Sequence, residues 1–302
     1  MLHLQYPLFV YLYTWVMTFL TGYDCQRILA AILMGTKTVE RLIGPEEATS
    51  TVEILETGCR LTDDDVLVSI EDLERMARPA HGYFLYVDDV WHKQVAFSPS
   101  TKLQVGLYAT ETGTPALMVG GFPMHRHKGI DPWESSLAMV NAVPRVYGRV
   151  LDTTCGLGYV ALAAAKRAVR VTTTEVDPAV CDLHHASPWS ERLYTTPNIT
   201  VINESCLSYV SGQAAGSYDV IFHDPPTVQI AGDLYSQAFY AELHRLLSRR
   251  GVLFHYIGSP ESRNGSTMMR GTKRRLSEAG FEKVVQVDSA FGLLAFKGGQ
   301  VY

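Results

Sequence analysis

An α/β fold built on a doubly wound, mostly parallel sheet is predicted for residues 125–302, with a smaller strand-rich unit before it. Two observations predict it. From "GRVLDTTCGLGYVALAAAKRA" onward, short apolar runs alternate with helical patterns. The polar residues that break those runs fall at strand ends, where sheets of this kind bind ligands. With 302 residues and 47% hydrophobic content, the chain can bury a core of that size. A net charge of −5 argues against a broad nucleic-acid footprint, which needs clustered Lys and Arg facing phosphates.

The first unit, residues 1–35, opens with "MLHLQYPLFVYLYTWVMTFLTGY", which has no Asp, Glu, Lys or Arg before Asp24 and is expected to be helical. It lacks the basic leader and small-residue cleavage pattern of a targeting signal. Its clean apolar stretch is short against the roughly 20 residues that span a bilayer. A buried or partner-facing helix is favoured, and membrane contact through residues 1–23 is left open. Residues 36–124 hold short β-rich pieces such as "TVEILE", "HGYFLYVDD" and "KLQVGLYATE" around one helical insert, "SIEDLERMARP". In the third unit, residues 125–302, "GRVLD", "VRVTTTE", "NITVINES", "YDVIFHDPP" and "GVLFHYIGSP" supply strands, with "LYSQAFYAELHRLLSRR" and "TMMRGTKRRLSEAG" as helices.

The five cysteines, Cys25, Cys59, Cys155, Cys181 and Cys206, contain no C-x-x-C pair and form neither a disulfide framework nor a zinc motif. Free thiols fit a reducing, cytoplasmic setting. The histidines of "MHRHKG" and "DLHHAS" lack the partners that a metal motif needs, so no metal is expected and they are read as surface or packing residues.

The chemistry gathers at strand ends. In "VLDTTCGLGY", Asp152 ends a strand and Gly156 and Gly158 make the turn into a helix, letting backbone approach a ligand closely. The next strand ends in Glu175, 23 residues after Asp152, close to the roughly 20 expected of an acid that accepts from both hydroxyls of a ribose. The phosphate-binding signatures are missing: no lysine follows the loop, and Asp152 would repel phosphate but hold an ammonium. An adenosine ligand with an amino-acid tail and no phosphate is S-adenosylmethionine.

"LDTTCGLGY", "TTTEVDP", "IFHDPP", "LYSQAFYAELHRLL", "LFHYIGSP" and "MHRHKGIDPWE" together resemble predicted S-adenosylmethionine-dependent methyltransferases best known from archaea. That group has the Rossmann-like, seven-strand class I methyltransferase fold and is distantly similar to spermidine synthases. The resemblance runs from about Val52 to the C-terminus. It implies that Asp152, Thr153, Gly156 and Gly158 line the methionine end of the cofactor, that Glu175 and Val176 meet the ribose, and that Glu204 and Ser205 lie near the adenine. Ser205 stands where an aspartate is expected.

In class I N-methyltransferases the fourth strand ends in a polar residue, two prolines and an aromatic. The resemblance implies that Asp224, Pro225 and Pro226 grip the acceptor, with proline carbonyls free to accept from an N–H. Thr227 replaces the aromatic, which disfavours a flipped nucleic-acid base and suits a small amine or hydroxyl. His223 has two readings: with Asp224 a catalytic residue at the cofactor, or a histidine hydrogen-bonded on the far face of the strand, since side chains alternate. Around the pocket, Arg126 or Lys128 is expected to pair with a carboxylate, Asp131 or Glu134 with an ammonium, and Tyr235 and Tyr256 to supply hydroxyls or a wall.

Three functions remain open. The first is methyl transfer to a small-molecule amine or hydroxyl. The second is transfer of an aminopropyl or aminocarboxypropyl group, or cyclisation of the cofactor, releasing methylthioadenosine. The third is a non-catalytic cofactor-binding module. A homodimer is compatible with all three.

Overall fold

The computed structural model describes residues 17–259 and 265–298. Its largest sheet has seven strands. In chain order they are Arg149–Asp152, Arg170–Thr174, Ile199–Ile202, Tyr218–His223, Leu247–Tyr256, Lys283–Val287 and Gly292–Phe296. Across the sheet they run third, second, first, fourth, fifth, seventh, sixth. The first five pair in parallel, and Gly292–Phe296 runs antiparallel to both its neighbours.

Alternation along each strand sorts the core onto two faces. Val150, Val220, Phe222, Val252 and Phe254 pack on one face with the alanine-rich helix Tyr159–Ala165. Leu151, Ile221 and Leu253 pack on the other with Tyr240, Leu243 and Leu246 of helix Gln237–Leu246. That helix ends sooner than the sequence suggests. Leu247 is fully buried and starts the fifth strand, so "LSRR" belongs to the strand.

The described part of the first unit differs from the single helix expected. Phe19–Thr21 is a strand paired antiparallel with Tyr83–Val87, and only Gly22–Met34 is helical. The switch is local: the Thr21 side chain accepts from the Asp24 N–H, Asp24 reaches back to the Thr21 N–H, and the helix stops at Gly35 with φ +67°. Phe19 and Leu20 are buried, and Leu20, Cys25 and Ile28 share one apolar cluster with Val52, Leu73 and Trp91. Residues 19–22 are therefore core rather than a membrane-facing surface, while the expectation for residues 1–16 lies outside the described residues. Among the described residues no helix is long and apolar enough to cross a membrane.

Short antiparallel sheets make up the rest of the N-terminal part. A further cluster joins Phe19, Tyr83, Val105 and Leu117 to Leu157, Tyr159, Leu183 and Trp189, so one packed core continues from those sheets to the turn after the first core strand.

Candidate active site

Ligands in doubly wound sheets bind where neighbouring strands send their connections to opposite sides. Here that point lies between Arg149–Asp152 and Tyr218–His223. The Thr153 N–H donates to Phe222 O (3.0 Å), the Thr154 hydroxyl to Asp224 O (2.8 Å) and the Cys155 N–H to Thr174 O (2.8 Å), which bind the strand ends together. The Thr174 hydroxyl donates to Thr153 O at 2.7 Å.

Three carboxyl groups crown these strands. Asp152 is 1% exposed; one oxygen accepts from the Thr173 hydroxyl at 2.8 Å and the other, Oδ1, is buried with no partner. Burial, reinforced by the nearby Asp224 and Glu175 charges, pushes Asp152 up to about 7. Glu175 accepts from the Gly156 N–H (3.1 Å) and the Asp177 N–H (3.0 Å), and burial still raises it to about 7. Asp224 is half-buried, receives no hydrogen bond to its carboxyl among the described residues, and is likewise raised by burial to about 7. Among the described residues no cation pairs with any of the three. The crevice is thus acidic and asks for positive charge.

The glycine loop owes its shape to two left-handed residues. Gly156 has φ +53° and Gly158 has φ +79°, and a Cβ on Gly158 would stand 2.4 Å from Leu193 Cδ1. Only glycine fits there.

His223 is packed rather than presented to the crevice. It is fully buried, with Nε2 3.0 Å from Leu234 O and Nδ1 2.7 Å from the Thr153 hydroxyl. A carbonyl only accepts, so Nε2 carries the proton and Thr153 donates to Nδ1. Burial holds the ring down to about 4. Both nitrogens are taken and the imidazole stays neutral, which corrects the reading of His223 as a general base or cofactor contact. Thr153 spends its hydroxyl on this bond. Behind His223, the His255 ring sits 4.4 Å away and donates from Nδ1 to His223 O (3.1 Å), while the Tyr240 hydroxyl is 2.9 Å from His255 Nε2.

The proline carbonyls are engaged too. The Tyr235 hydroxyl lies 2.9 Å from Pro226 O and 3.3 Å from Pro225 O, on a 3-10 turn that follows the prolines. A single hydroxyl proton serves the two, so each carbonyl keeps a lone pair able to accept from an N–H. Tyr256 sits within electrostatic range of Asp224 and Arg126.

The segment "MHRHKGIDPWE" behaves differently from expectation. Asp131 caps the helix Pro132–Ala142, accepting from the Trp133 N–H (2.8 Å) and the Thr112 hydroxyl (2.6 Å), so it is a structural cap instead of an ammonium partner. Arg126 lies over the Phe291 ring, 3.8 Å from its centroid, and makes no salt bridge to a carboxylate. Lys128 and Glu134 are exposed. Sequence reasoning passed over His125, whose Nδ1 accepts from the Leu117 N–H (3.1 Å) and whose ring would be the nearest neighbour, at 3.7 Å, of a Cβ on Gly156. Its place just before the first core strand was the available signal.

Of the residues expected to meet the ribose and adenine, Val176 is 54% exposed, Glu204 is exposed and Ser205 caps a short helix without using its side chain. The Asn203 amide fixes the strand end by donating to Glu175 O at 2.7 Å. Among the described residues no cluster of His, Cys, Asp and Glu suits a metal, and all five cysteines are free.

The fold is a class I methyltransferase-like α/β fold, and residues 123–272 match the methyltransferase small domain family. The chain belongs to the same family as the uncharacterized protein MJ1233 of Methanocaldococcus jannaschii, with 35% identity over 233 residues, 76% of this chain and 78% of that one. Among solved structures, a spermidine synthase in complex with the transition-state analogue AdoDATO has a similar fold: TM-score 0.53 at 17% identity, over 70% of this chain and 77% of that one. Spermidine synthase from Thermotoga maritima gives TM-score 0.48 at 15% identity, over 70% and 77% of the two chains.

Proposed function

We propose that the chain is an S-adenosylmethionine-dependent methyltransferase acting on a small-molecule amine or hydroxyl. The observation that carries this is the trio of Asp152, Glu175 and Asp224, raised by burial and without a cation, beside a glycine loop at the switch point. The residues fit the cofactor. Asp152, through its unpartnered Oδ1, would hold the ammonium; Glu175, whose oxygens keep free lone pairs beyond their two backbone bonds, would take the ribose hydroxyls. The bound cofactor supplies an electrophilic methyl group on a sulfonium.

What the chain adds is alignment and a proton acceptor. Asp224, with no hydrogen bond of its own, binds the acceptor and takes its proton; a carboxyl near 7 suits that task at neutral pH. Tyr235 holds the proline carbonyls in place while each keeps a lone pair, and Asp224 supplies the charged contact at this wall. A small aliphatic acceptor fits this better than a flat base, because Thr227 offers no stacking surface.

The fold alone does not decide which cofactor carbon reacts. Incubating the protein with S-adenosylmethionine, without and then with a cell extract, separates the possibilities by mass spectrometry of the nucleoside product. S-adenosylhomocysteine, formed only with extract, is expected. Methylthioadenosine would replace this proposal with aminopropyl-type transfer or cyclisation, and binding with no product under either condition would leave a cofactor-binding module.

A further inference from the structure

We infer that the helical segment Pro178–Thr195 is a clamp for the glycine loop, with His184 and Ser190 as positioning residues that set cofactor affinity. The inference rests on the reading above that Gly156–Gly158 binds S-adenosylmethionine. Each of the three consecutive loop residues is met by a different side chain of this segment.

Gly156 is held by His184. The ring is fully buried, with Nε2 2.6 Å from Gly156 O and Nδ1 2.9 Å from the Tyr194 hydroxyl. Because the carbonyl only accepts, Nε2–H donates to Gly156 O and Nδ1 accepts from Tyr194. Burial keeps the ring neutral at about 4, which preserves that single tautomer. Leu157 is held by Ser190, also fully buried, whose hydroxyl donates to Leu157 O at 2.9 Å. Gly158 is held by shape, since Leu193 fills the space a Cβ would need.

The consequence follows from peptide geometry. In a trans peptide the carbonyl and the next N–H point in opposite directions, so fixing Gly156 O through His184 also fixes the direction of Leu157 N–H. On the preceding peptide, Gly156 N–H donates to Glu175 Oε2 at 3.1 Å. His184 and Glu175 therefore restrain the peptide groups on either side of a left-handed glycine, the residue with most freedom to turn. Releasing one restraint lets the loop sample other conformations and loosens the carboxylate proposed to hold the ribose. Nothing in the clamp touches the acceptor side, so its effect belongs to cofactor binding.

The test is calorimetric titration of S-adenosylmethionine into the full-length protein and four variants. His184→Leu removes the donor and is expected to weaken binding at least about tenfold, ~1.4 kcal/mol. His184→Gln restores an N–H donor and is expected to bind within about threefold of the unaltered protein, while Ser190→Ala weakens binding about threefold. Val52→Ala, in the N-terminal core, lowers the melting temperature and leaves affinity unchanged, which separates positioning from general destabilisation. A folded His184→Leu protein with unchanged affinity overturns the clamp and leaves the proposed function intact. Should that variant fail to fold, Ser190→Ala decides, and unchanged affinity there overturns it equally. Absence of binding to the unaltered protein overturns both.

Discussion

The two walls of the crevice are built on opposite plans. On the glycine-loop side, the backbone is held from behind and two carboxyl groups, Asp152 and Glu175, keep capacity for a ligand. On the fourth-strand side almost every polar group is already engaged: His223 with Thr153 and Leu234, His255 with Tyr240, and the proline carbonyls with Tyr235. Among the described residues, the Asp224 carboxyl has no hydrogen-bond partner. The difference teaches where specificity lies. The first wall can meet a large, polyfunctional ligand at several points, whereas the second can offer a small one a single anionic contact.

The largest effects should come from separating the walls. Glu175→Ala is expected to weaken S-adenosylmethionine binding by about 30-fold or more, because it removes charge-assisted hydrogen bonds to the ligand and unties Gly156. Asp224→Ala is expected to lower turnover at least about 100-fold while cofactor affinity stays within about threefold. Calorimetry and product formation on both variants check this reciprocity. If Asp224→Ala kept its turnover, the acceptor wall would have been misassigned.

A smaller effect concerns His223. As a packed, neutral ring it holds the Leu234 turn and is expected to move no proton in turnover. His223→Gln, which keeps a donor for Leu234 O, is expected to lower the melting temperature by a few degrees, for a loss of about 1–2 kcal/mol. It should leave the pH profile of turnover in place. Loss of one limb of that profile would return His223 to the role of general base.

How far the sequence could foresee this depends on the range of each interaction. Asp152, Gly156, Gly158 and Glu175 were legible because one strand, one turn and one helix fix their spacing. The packed alternative for His223 was legible from strand alternation, since Ile221 and His223 share a face. Asp131 was misread although its signal is local: Asp-Pro-Trp-Glu is a helix N-cap with proline at the first position. The same holds for Thr21 and Asp24, whose capping box marks a helix start inside the apolar segment. By contrast, Tyr235 over the prolines and His184 and Ser190 against the glycine loop are contacts between separate elements. "DLHHAS" carries no periodicity that distinguishes a loop clamp from ordinary packing.

The smallest effect, and the one that compares the walls as wholes, is on stability against pH. Asp152, Glu175 and Asp224 have folded values of about 7, above the ordinary carboxylate range because of burial. Between the two ranges the folded state binds more protons than the unfolded one, so their contribution is full below the unfolded values and is lost as pH rises through about 7. His125, His184 and His223 are held down to about 4 by burial, and burial with the neighbouring His223 holds His255 well below the ordinary histidine range. Their contribution has the opposite sign: it is present above the ordinary histidine value and lost as pH falls toward 4. The two sets oppose each other from mildly acidic to neutral solution, because at pH 6.5 the unfolded histidines are still about half protonated and finish titrating only about one unit higher. The carboxyl groups alone would lower the melting temperature of the free protein by several degrees between pH 6.5 and pH 8, each ~1 kcal/mol counting for about 2–4 °C, and the histidines offset much of that fall. Asp152→Asn, neutral at every pH, should flatten part of that fall, and saturating S-adenosylmethionine should flatten it further by placing positive charge among the same carboxylates. An identical pH dependence of the melting temperature in the free protein and in Asp152→Asn would mean that Asp152 is already ionised and compensated, and that the acidic wall is not waiting for a cation.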